Sequence, residues 1–162
     1  MNRNKTLQLA NAGMIAALYV VLTWIANLLG LASGAIQVRL SEALTILPVF
    51  TVAAVPGLTV GCVLANLLTG CAAWDVVFGS LATLLGAVGT RLLRNRPLLA
   101  WIPPVVSNAV IVPIILIKVY GVPDAWWYLV LTVGAGEIIA CGLLGLLLWR
   151  ALRDHPLVRK MH

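Results

Sequence analysis

Charge is what this sequence has least of. Asp, Glu, Lys and Arg make up 10% of its 162 residues, hydrophobic residues 62%, and the mean hydropathy is +1.03. A soluble domain carries roughly 25% charged residues, so these side chains cannot cover a water-facing core. The solvent must be a bilayer. Histidine is nearly missing too: His155 and His162 both sit in the terminal tail. No Walker A, GxSxG or HExxH sequence occurs, so no nucleophile stands beside a base and no catalytic residue is expected. The three cysteines, Cys62, Cys71 and Cys141, lie far apart in apolar surroundings, without the spacing of a metal site. Neither a metal ion nor a cofactor is expected.

The charge that is present is mostly basic, with a net +6. It falls in three groups between apolar runs: Arg3 and Lys5; Arg91, Arg94 and Arg96; Arg150, Arg153, Arg159 and Lys160. That is the positive-inside pattern of a membrane protein, not the basic face of a nucleic-acid binder. The first apolar run, 7–31, exceeds the roughly 7–15 residues of a signal-peptide core, so it reads as a retained helix.

A membrane span needs about 20 apolar residues. Runs at 9–31, 75–93, 98–119 and 126–149 meet that length. Between Glu42 and Asp75 there is no charge, but Pro56-Gly57 reads as a turn, leaving short spans at 41–54 and 57–70. Six crossings put all three basic groups on one side. The sequence therefore predicts an all-α bundle of six transmembrane helices, one domain over 1–162, with both termini cytoplasmic. A re-entrant hairpin over 42–74 satisfies the same parity.

Glu137 stands about 11 residues into the sixth span, near mid-membrane, with the small residues Gly134 and Gly136 just before it. An ionisable residue at that depth marks a functional site. Asn66 and Asn108 lie about 10 residues into the third and fifth spans. Each either bonds another helix or faces a ligand. Asp75 opens the fourth span, where a carboxylate also suits a helix start. Arg39 and Glu42, three apart, can pair with each other or clamp a ligand. Ser80 and Thr83 offer hydroxyls, and Trp74 and Trp127 offer aromatic faces among the interfacial aromatics. Together these residues suit a planar, hydrogen-bonding small molecule. Small-residue spacings such as Ala12-xxx-Ala16 and Gly57-xxx-Gly61 provide close helix contacts. The Ala12 and Ala16 strip serves either this bundle or a partner helix.

Three stretches carry a resemblance: 34–48 (GAIQVRLSEALTILP), 61–70 (GCVLANLLTG) and 74–85 (WDVVFGSLATLL). They resemble the signature of the QueT family, and Pro103-Pro104, Asn108 and Gly134-Ala135-Gly136-Glu137 continue it. That family comprises substrate-binding (S) components of energy-coupling factor transporters for queuosine precursors. The resemblance implies six helices, a pocket under the loop after the first helix, and a 7-deazaguanine ligand. It also implies docking through the first helix onto a transmembrane coupling subunit driven by two ATPases. Glu137 or Asp75 would accept from the N–H edge of the base, and Trp74 or Trp127 would stack on it. The alternatives are an S component for another vitamin-like molecule, a self-sufficient proton-coupled carrier with Glu137 as relay, and a structural membrane protein.

Overall fold

The computed structural model describes residues 3–31 and 36–155. The Gly34-Ala35 start of the first signature stretch and the tail residues Arg159, Lys160 and His162 lie outside the described residues. All regular structure among those described is helical. It comprises α1 (Arg3–Leu28), a 3₁₀ helix (Leu40–Val49), α2 (Ala54–Leu68), α3 (Ala73–Leu92) and α4 (Ile102–Lys118). Helix α5 (Trp126–Glu137) then continues through a π segment (Ile138–Leu144) into α6 (Gly145–Leu152). Four stretches are long and apolar enough to cross a membrane: Lys5–Leu28, Ala73–Leu92, Pro97–Lys118 and Trp126–Leu152. Leu40–Val49 and Ala54–Leu68 are shorter apolar helices. The long helices turn large apolar side chains outward, Leu9, Met14, Trp24, Leu85 and Leu147 among them. An apolar girdle of this extent has lipid, not water, as its favourable solvent.

The 3₁₀ helix runs through the middle of the bundle. Ser41, Glu42, Thr45 and Ile46 are at most 1% exposed. At about 2 Å per residue, ten residues in this conformation reach about 20 Å. Backbone that departs from the α-helix is tolerated at membrane depth where protein covers it. Pro48 fits inside this helix. Arg91 covers its far end, donating from Nη1 to the Pro48 carbonyl at 2.9 Å.

The expected turn at Pro56-Gly57 is not there. Both residues fall in the first turn of α2, and the chain reverses just before it, over 50–53. A first-turn proline sacrifices no helical hydrogen bond, because the N–H it lacks would have had no partner. Gly57 and Gly61 instead let α2 press onto α1. A Cβ on Gly61 would come 2.8 Å from Tyr19 Cβ and 3.0 Å from Ala16 Cα; one on Gly57 would come 2.8 Å from the Ala12 carbonyl oxygen. The Ala12 and Ala16 strip is thus the seat of α2, and Gly13 and Ala17 are the small residues left facing outward. Gly61→Ala is expected to lower the melting temperature of the purified protein, since overpacking costs about 1–3 kcal/mol. Gly13→Ala, whose methyl meets nothing within 4 Å, is expected to leave it unchanged.

Candidate functional site

Helices α1, α2 and α4 end together, each followed by a glycine with positive φ: Gly30, Gly70 and Gly121. The left-handed backbone there closes the last turn at little steric cost. At this same end lies a cavity of about 530 Å³, walled by Thr23 and Asn27 of α1, Arg39, Asn66 of α2, Asp75 of α3, and Tyr120 just beyond α4.

Asp75 is the third residue of α3 and makes no capping bond. Its Oδ2 accepts from the Tyr120 hydroxyl at 3.0 Å, and its carbonyl from Asn66 Nδ2 at 3.4 Å. Burial, and then Asp75, push the Tyr120 phenol pKa up, so it stays a donor. Arg39 and Glu42 do not pair. Among the described residues the only ion pair is Arg153–Asp154, and the Arg39 side chain makes no hydrogen bond. Burial works against the Arg39 charge, but the acidic groups of Tyr19, Cys62, Asp75 and Glu42 around it hold its pKa above the ordinary value.

Glu42 points inward, into a cluster that sequence reasoning only half anticipated. Its two carboxylate oxygens accept from the Tyr19 hydroxyl and, at 3.5 Å, from Asn108 Nδ2. Glu137 comes to the same place from the last helix, with its Oε2 3.2 Å from Cys141 Sγ. The thiol also lies 3.5 Å from the Glu42 carbonyl and 3.4 Å from Thr45 Oγ1, which itself donates to that carbonyl at 2.6 Å. Glu42, Glu137 and Asn108 are at most 6% exposed. Carboxylate and thiol atoms of Glu42, Glu137 and Cys141 lie within 4.8 Å of one another. Two hard oxygens and one soft sulfur can hold a transition-metal cation. Here, however, Tyr19 and Asn108 already occupy both Glu42 oxygens, which leaves the cluster complete as a hydrogen-bonded one.

The local structure explains the convergence. Glu137 is the last α-helical residue before the π segment, and Cys141 lies within that segment, one turn on. The π segment packs against the 3₁₀ helix, and such segments often occur at functional sites. Beside Glu137, Gly136 carries the Gln37 carbonyl so closely that a Cβ would overlap it. The segment Gln37–Arg39 therefore lies across the last helix as a strap. On its other flank is a second cavity, of about 590 Å³, lined by Gln37, Asp124, Trp127 and Tyr128.

The structure thus gathers Glu42, Asn108 and Glu137 into one cluster, and Arg39, Asn66 and Asp75 around the adjoining cavity. Trp127 is exposed on the second cavity. Trp74 faces away, stacked on Phe78 at 5.8 Å over an apolar groove between α3 and α4. Ser80 is buried, and its hydroxyl is the one buried side-chain N or O atom without a partner among the described residues. Tyr19 and Thr45 were not singled out in the sequence, and Cys141 was read there only as an isolated cysteine. The one hydroxyl-bearing aromatic of α1, midway along it, was the available signal for Tyr19.

Apolar helices around a buried polar cluster define a multi-pass membrane protein. Comparison with known proteins says which kind: the chain belongs to the QueT transporter family, which it matches over residues 9–154. It is 36% identical over 86 residues to the queuosine precursor transporter QueT of Lactococcus lactis subsp. cremoris (strain MG1363). That stretch is 52% of this chain and spans 50% of the relative's length. No solved structure matches the chain.

Proposed function

We propose that this protein binds a queuosine precursor, a 7-deazaguanine, and serves as the substrate-binding component of an energy-coupling factor importer. The observation that carries the proposal is the pairing of buried carboxylates with an adjoining polar cavity. A deazaguanine presents a row of N–H donors that a carboxylate can accept in pairs. Glu137 and Asp75 are the acceptors, Asn66 and Asn108 the amides beside them, and Glu42, held by Tyr19 and Asn108, fixes the floor. The named activity of the Lactococcus relative supports the same ligand class.

In this reading the chain is one domain that crosses the membrane six times, its ends in the cytoplasm and its cavity outside. The long helices and the two short ones alternate in direction relative to the cavity, as six crossings require. Energy comes from a transmembrane coupling subunit and two ATPases, met through the outward-facing small residues of α1 near Ala12 and Ala16.

Liposomes separate this reading from its rivals. Purified protein alone is expected to bind 7-aminomethyl-7-deazaguanine without ATP but not to accumulate it. Accumulation is expected only when the coupling subunit and ATPases are added. Uptake by the protein alone under a pH gradient would instead make it a proton-coupled carrier. Tight binding of a B-vitamin with none of deazaguanines would reassign the ligand.

A further inference from the structure

We propose that Arg39 sets the base specificity of the site: its guanidinium donates to the ring carbonyl of a 2-amino-6-oxo base, admitting guanine-type bases and rejecting adenine-type ones. The inference rests on the binding function proposed above and assigns one residue within it.

Three observations lead to it. First, Arg39 lines the cavity on one wall while Asp75 lines it on another, and Asn66 stands beside Asp75. Second, Arg39 and Asp75 form no ion pair, although they share that space. Third, the Arg39 side chain has no hydrogen-bond partner among the described residues. A guanidinium carries five N–H donors in a planar fork. None of those donors is buried without a partner, so they stay open to the cavity, where an arriving acceptor can take them.

Opposite charges that face one cavity without touching suit a ligand that bridges them. A guanine-type edge has that character: a carbonyl acceptor beside two N–H donors. The carbonyl meets Arg39 and the N–H groups meet a carboxylate. An adenine-type edge would turn an amino group toward Arg39, setting donor against donor. Sites built around such a bond reject the mismatched analogue strongly, because their own polar groups are left unpaired. The strap fixes the arrangement: Gln37 rests on Gly136 and the backbone passes directly into Arg39 and the 3₁₀ helix, whose Glu42 N–H bonds the Arg39 carbonyl at 3.0 Å.

The test is a pair of ligands, 7-aminomethyl-7-deazaguanine and its 6-amino counterpart, which replaces the C6 carbonyl by an amino group and the N1–H donor by an acceptor. The N1 change is common to native protein and variants, so the part of Arg39 is read from the change in preference. Binding is measured calorimetrically on the full chain in nanodiscs. The native protein is expected to prefer the 6-oxo base by about 100-fold or more. Arg39→Met, which removes every donor but keeps the stem, should weaken the 6-oxo base by roughly 30- to 100-fold and shrink the preference by about the same factor. Arg39→Gln, whose amide can turn to donate or accept, should cut the preference by about tenfold or more. Equal binding of the two bases by the native protein, or an undiminished preference in either variant, would overturn the assignment. Should Arg39→Met fail to fold, the native preference and the Gln variant still decide. Binding of neither base by the native protein would instead sink the proposed function itself.

Discussion

Glu137→Gln is expected to weaken deazaguanine binding by about 100-fold or more while leaving the bundle folded. The reasoning starts from what Glu137 has around it. It is buried, close to a second carboxylate on Glu42, and its neighbours are the Asn108 amide and the Cys141 thiol, a weak donor. Hydrogen bonds to a charged group contribute about 1.5–3 kcal/mol each, and a paired acceptance from a base is two such bonds. At about 1.4 kcal/mol per factor of ten, the loss is at least two orders of magnitude. The amide that replaces the carboxylate also turns N–H groups toward the N–H groups of the ligand, which adds repulsion. Stability should move the other way or not at all, since the change relieves the crowding of two acidic groups. Calorimetry and thermal unfolding on the same sample check both halves. Native-like affinity in the variant would make Glu137 a structural residue and shift the base-reading role to Asp75.

Gly136→Ala should be nearly as damaging, by a different route. The added methyl would occupy the position of the Gln37 carbonyl, which is backbone and cannot swing aside. The strap must lift from the last helix, carrying Arg39 and Glu42 with it. Overpacking of this kind costs about 1–3 kcal/mol, and the displacement of two site residues should reduce binding further than the melting temperature suggests. Gly134→Ala is the control: its methyl would meet only Ala109 Cβ, at 3.8 Å, and should change neither quantity. Native binding in Gly136→Ala would show that the strap does not position the site.

These predictions depend on features the sequence revealed unevenly. Membrane embedding was plain from the scarcity of charge, and the four long helices from uninterrupted apolar runs. Glu137, Asn108, Asn66 and Asp75 stood out because polar groups at those depths need partners. The segment after Arg39 was harder. Its composition fits a short α-helix as well as a 3₁₀ helix, and the choice is made by tertiary burial that no local pattern encodes. Pro56-Gly57 has a turn signature, yet the first turn of a helix accepts the same pair. Trp74 and Trp127 looked like stacking partners because their depth was right, but the direction in which they face depends on how α3 and the last helix rotate. The roles of Tyr19 and Cys141 were hidden for a related reason: each meets Glu42 from far along the chain, 23 and 99 positions away respectively.

The central 3₁₀ helix also bears on how the chain is put together in the membrane. Insertion sorts segments by apolar length, and ten residues fall well short of the roughly 20 of a free-standing span. Facing lipid alone, this segment would place Glu42 in hydrocarbon with no donor to hold it. Its place exists only once α1 brings Tyr19, α4 brings Asn108, and the last helix brings Cys141. The site is therefore the final product of bundle assembly: an unfinished chain, lacking the last helix, has neither Glu137 nor Cys141 and nothing for Gln37 to rest on.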